Sequence, residues 1–107
     1  MVEITYHRRY HRFTAKGHAH SGEVGRDLVC AAVSTLMLTV AGNVQDLAEQ
    51  GSVKEPITHI AEGDAEVSCK VGSKMSNVVT LMFDTIGTGF AMLRSLYPEY
   101  IKYTVMQ

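Results

Sequence analysis

Cys30 stands at the head of an apolar run, and His18 precedes it with eleven residues between them. A thiol and an imidazole brought together form the pair that activates sulfur for acyl transfer: the imidazole takes the proton and the thiolate attacks a carbonyl. The stretch between them holds Gly22 and Gly25, and Gly17 stands just before His18. Such a segment can fold back and bring the imidazole onto the sulfur. Asp27 is a good helix N-cap, which would put Cys30 at the third helical position. Unpaired N–H groups and the positive end of the helix dipole favour thiolate at such a position. Asp27 has a second role open to it, orienting His18, and as a nearby negative charge it would oppose the thiolate. Position alone equally suits an inert buried cysteine and a solvated loop histidine. Cys69, alternating with Val67 and Val71, belongs on the core face of a strand.

Other chemistries are weaker. His18-x-His20 with Cys30 offers three metal donors, and His7, His11 or His59 could add a fourth. The Cys-x-x-Cys pairs usual in structural zinc sites are missing, so no metal and no cofactor is expected. The cluster HRRYHR at residues 7–12 could touch RNA or an anionic partner through its arginines and Tyr10, or simply be the solvated tip of a hairpin. Ten Lys and Arg against eleven Asp and Glu give a net charge of −1, so bulk charge draws the chain neither to nucleic acid nor to acidic membranes. No direct nucleic-acid binding is expected on that ground. Met75, Met82 and Met92 at helical spacings read as core packing, and there is no phosphate-binding glycine loop or carboxylate pair.

The elements that must position these residues form one domain, residues 1–107. Residues 1–6 (MVEITY) alternate as a half-buried strand, and residues 7–14 return as a second, with no turn dipeptide between them. Residues 17–26 lack periodicity and read as a loop, followed by a helix from Asp27 to about Gln50, ended by Gly51. Its apolar residues cover more than one face, as in a helix buried on several sides, in a core plus a subunit contact. The run is broken by Ser34, Thr35, Thr39, Gly42 and Asn43, which argues against a membrane span. Residues 57–61 and 65–71 form a hairpin around Glu62-Gly63-Asp64, and Ser73 or Ser76 opens a second helix that Pro98 stops. Residues 100–106 close as a strand. The order is ββαββαβ, an α+β fold with two helices packed on a β-sheet. With only Cys30 and Cys69 and no signal-peptide pattern, the expected compartment is the cytoplasm.

One stretch is far more specific than a lone Cys or His. Gly17-His18-Ala19, then Gly25-x-Asp27-x-Val29-Cys30-Ala31-Ala32-Val33-Ser34, resembles the ribosomal-processing cysteine protease (Prp) family, and the element order fits along the whole chain. The resemblance implies a small cytoplasmic endopeptidase that removes an N-terminal extension from a large-subunit ribosomal protein, number twenty-seven, in a short apolar segment. It implies His18 as general base and Cys30 as nucleophile, with Asp27 and Ser34 in supporting places. Gly17, Gly22 and Gly25 would belong to a substrate loop over the site, and the partners would be the ribosomal protein precursor and a second copy in a homodimer. The HRRYHR cluster has no counterpart in the motif. The alternative reading is a non-catalytic ribosome-associated binding module.

Overall fold

The computed structural model describes residues 1–17 and 24–107, and of residues 24–27 the backbone alone. Five strands and two helices follow the expected order: β1 (Val2–His7), β2 (Arg12–Lys16), α1 (Val24–Glu49), β3 (Lys54–Ala61), β4 (Asp64–Lys70), α2 (Ser76–Leu96) and β5 (Ile101–Met106). The strands lie in the spatial order β3-β4-β2-β1-β5, with β1 and β5 parallel and every other neighbouring pair antiparallel. It follows that β2 and β3 run the same way, as do β4 and β5, so each helix is the crossover of a split β-α-β unit.

Period-two alternation sends Val2, Ile4 and Tyr6, Phe13 and Ala15, Val67 and Cys69, and Ile101 and Tyr103 to the helix-covered face, where all are buried. From α1 that face receives Val29, Val33, Met37, Val40 and Val44, and from α2 Val79, Phe83, Ile86 and Phe90. Aromatic packing sits at the centre: Phe13 stacks on Tyr6 at 4.4 Å between ring centroids and on Phe83 at 5.6 Å. The other side of the sheet is polar and bare of helices, carrying residues such as Thr14, Glu66 and Lys102.

α1 ends as expected. Gly51 takes φ +76°, its N–H donates to the Ala48 carbonyl at 3.0 Å, and the Ser52 N–H donates to the Leu47 carbonyl at 2.8 Å. These are the two bonds of a Schellman cap, which needs a residue free of left-handed strain. The start differs from expectation. α1 begins at Val24, so Asp27 is its fourth residue rather than its cap, and Gly25 lies in the helix rather than in a loop. Within one copy of the chain α1 buries a single stripe, and Leu28 and Leu38 remain exposed.

The basic cluster does form the tip of the β1–β2 hairpin, with Arg8, Arg9 and Tyr10 exposed, but His11 is buried. A 3₁₀ turn at Arg8–Tyr10 and a left-handed His11 at φ +48° separate β1 from β2, which therefore starts at Arg12 rather than near His7. Two of its six residues, Arg8 and His11, are docked on α2. Arg8 Nε and Nη2 donate to the two carboxylate oxygens of Asp84 at 3.0 and 3.1 Å, and Tyr6 Oη donates to Asp84 Oδ1 at 2.8 Å. Buried His11 holds Nε2 at 2.7 Å from Thr80 Oγ1.

Candidate active site

The helix and the sheet leave a cavity of about 130 Å³ at the end of β2 farthest from the basic cluster, with Cys30 in its wall. Val33 and Met37 continue the α1 side of it, Ala15 and Ala65 give the sheet side, and the Glu62-Gly63-Asp64 turn closes the rim. Cys30 is half-buried, which leaves its sulfur within reach of the cavity, whereas Cys69 is buried in the core; both are free thiols. Burial pushes the Cys69 thiol up to about 11, so it stays protonated.

Ser34 lies one helical turn after Cys30 and lines the same cavity, as the i, i+4 spacing requires. Gly17, the residue before His18, lines it too, from the opposite wall. Gly17 adopts φ +103°, and a Cβ there would run into the backbone carbonyl of Met1. Only glycine fits both the conformation and the space. Its N–H donates to the Gly63 carbonyl at 3.1 Å, tying the chain entering the glycine-bearing segment to the β3–β4 turn. The rim is pinned a second time by an ion pair of Lys16 with Asp64, and His59 Nε2 lies 3.5 Å from the same carboxylate. The Lys16 ammonium holds the Asp64 carboxyl below its ordinary value. The β3–β4 turn is the part of the site that sequence reading missed. Glu62-Gly63-Asp64 shows itself as a turn, but nothing in the local residues says that it closes over Cys30.

Cys30 is the seventh residue of α1, not the third, so the unpaired N–H groups of the first turn lie behind it. Its own N–H is committed to the helix. His18, His20 and Gly22 lie outside the described residues, as does the side chain of Asp27. Among the described residues no group of three His, Cys, Asp or Glu side chains is arranged to hold a metal ion.

The fold that carries this cleft is shared with proteins of known structure. A family model described as cysteine protease Prp matches residues 1–102. Among solved structures, SMU.848 from Streptococcus mutans is 26% identical with a TM-score of 0.69, covering 98% of this chain and 91% of its own. The essential ribosomal processing protease Prp of Staphylococcus aureus, in complex with a substrate peptide, is 20% identical with a TM-score of 0.69, covering 98% and 97%. The same protease with a covalently linked product peptide gives 21% identity and a TM-score of 0.68 over the same shares. No curated protein matches the chain by sequence. With 102 of the 107 residues inside one family match, and a free cysteine lining the cleft of a shared fold, the chain belongs to the Prp family of cysteine proteases.

Proposed function

We propose that the chain is a ribosomal-processing endopeptidase in which Cys30 is the nucleophile and His18 its general base. The observation that carries this reading is the cavity that places Cys30 opposite Gly17, the residue leading into His18. The described histidines are placed elsewhere: His11 is bound to Thr80, His59 faces the open side of the sheet beside Asp64, and His7 ends β1 across from Arg12.

The chemistry follows from the residue types. His18 takes the proton of Cys30, and the sulfur adds to the scissile carbonyl carbon. The tetrahedral intermediate collapses to a thioester as His18 returns the proton to the leaving amine. Water, deprotonated by His18, then adds to the thioester, and the sulfur leaves as the acid is released. The negative oxygen of each intermediate needs two donors. The Cys30 N–H is itself used by the helix, and the candidate donors are other backbone N–H groups near Cys30 and in the glycine-bearing segment. Ser34 supports the bound peptide from one turn farther along α1. Asp27, in the first turn of α1, is the carboxylate assigned a supporting role in this reading.

The narrow apolar cavity suits short, unbranched or apolar side chains on an extended peptide. The substrate is an apolar N-terminal extension of a large-subunit ribosomal protein, number twenty-seven, in the cytoplasm. The coarser part of this, a peptide substrate from ribosomal processing, is supported by the substrate and product peptides described for the Staphylococcus aureus protease. Exposed Leu28, Leu38, Val78, Leu81, Met92 and Leu96 on the helical layer support a homodimer. The test is to incubate the purified chain with the precursor and weigh the products by mass spectrometry. A product shortened at its N-terminus with the native protein, and none with Cys30→Ala, is expected. An uncut precursor would leave a binding module as the reading.

A further inference from the structure

The basic residues of this chain are scattered in sequence but not in space. At the end of the sheet away from Cys30, a cavity of about 600 Å³ is lined by Arg9, Tyr10, Arg12 and Lys70. It adjoins a second, of about 570 Å³, lined by Lys54, Lys70 and Lys74, and the two share Glu55, Lys70 and Val71. Five of the ten Lys and Arg residues therefore line this pair of adjoining cavities as one groove, with Glu55 the one carboxylate among the described residues to join them. Glu55 is bonded to Lys70 at 3.0 Å, while Arg9, Lys54 and Lys74 have no ion-pair partner among the described residues.

The aromatic component is equally specific. Tyr10 is 61% exposed, and the Arg12 guanidinium carbon lies 5.9 Å from its ring centroid. Arg12 Nε is buried without a hydrogen-bond partner among the described residues. The guanidinium is thus held in place by packing rather than by a carboxylate. Unneutralised cations tracking a groove, with an exposed ring braced by an arginine, form the arrangement that receives a sugar-phosphate chain and stacks one of its bases. An acidic peptide would use the cations and leave the ring idle. A lone phosphate would need donors converging on one point, whereas these spread over two cavities.

We propose that this groove binds single-stranded nucleic acid, its phosphates on Arg9, Arg12, Lys54 and Lys74 and a base stacked on Tyr10. The net charge of −1 conceals the groove because, among the described residues, every carboxylate but Glu55 lies elsewhere.

The test is fluorescence anisotropy of a labelled oligouridylate titrated with the full chain. With three to four phosphates neutralised, affinity falls about 20- to 50-fold between roughly 50 and 200 mM salt. Tyr10→Ala weakens binding about tenfold while Tyr10→Phe binds as the native protein does. Lys54→Ala with Lys74→Ala weakens binding and flattens the salt dependence, both chains keeping the native circular dichroism. Cys30→Ala binds normally, so the outcome is independent of the proteolytic reading. Absence of binding, salt-independent binding, insensitivity to Tyr10→Ala, equal affinity for polyglutamate, or full displacement by inorganic phosphate at matched ionic strength would each overturn the proposal.

Discussion

Gly17→Ala separates the backbone geometry of the site from its chemistry, because it removes no polar group. At φ +103° a side chain is disfavoured, and the new Cβ meets the Met1 carbonyl. Holding a non-glycine residue in such a region costs about 1–3 kcal/mol. The clash is relieved either by moving the start of β1, whose Val2 N–H donates to the Tyr100 carbonyl at 2.9 Å, or by moving residue 17 off the Gly63 carbonyl. Giving up that one hydrogen bond adds about 1 kcal/mol. The sum is a loss of about 2–4 kcal/mol. Gly42→Ala is the comparison: it lies in α1 with open space around its Cβ position, and alanine there gains about 1 kcal/mol. Urea unfolding of the two variants should therefore move their midpoints in opposite directions from the native protein. Precursor cleavage, measured where each variant is still folded, should fall at least tenfold in Gly17→Ala and stay native in Gly42→Ala, since only Gly17 anchors the wall facing Cys30. Native stability and native cleavage in Gly17→Ala would refute both the conformational argument and the placement of that wall.

Iodoacetamide at pH near 8 should modify Cys30 in the folded protein and reach Cys69 only after unfolding, because the Cys69 thiol is buried and pushed up to about 11; peptide mapping reads this, and equal labelling would contradict it. Burial holds His11 below its ordinary 6.5, with Asp84 opposing and Arg8 reinforcing the shift. The unfolded chain therefore binds a proton that the folded chain refuses, so this residue's share of stability is complete above pH 6.5 and declines as pH falls toward the folded value. His11→Asn should flatten that part of the unfolding profile, and an unchanged slope would assign it to other groups. Phe83→Ala removes the ring stacked on Phe13 and should cost about 3–5 kcal/mol by urea unfolding.

Much of the fold was legible because its signals are local. Alternation at Val2, Ile4 and Tyr6 or at Val67 and Cys69 is a property of a few adjacent residues, and Gly51 needs only its own φ to end a helix. The start of α1 was misplaced because Asp27 is as good a cap as any in the stretch. A cap preference of about 1 kcal/mol does not decide where a 26-residue helix begins. The anchoring of HRRYHR was hidden for another reason: the partners that bury His11 and hold Arg8, Thr80 and Asp84, lie 69 and 76 residues away. The cavity around Cys30 has the same character, since β2, α1 and the β3–β4 turn meet there only after the sheet has formed.

The irregular pairing between Lys54 and Ile57 divides the free edge of β3 into two unequal halves. Glu55 is left-handed at φ +49° and Pro56 has no N–H to offer, so a foreign strand finds no ladder there. Residues 57–61 keep a regular register with β4 and lead directly to the Glu62-Gly63-Asp64 rim. The edge is thus too short for sheets of neighbouring molecules to zip together along its length. It still offers a few unpaired amides and carbonyls to a short extended peptide, at the end of the sheet where Cys30 waits.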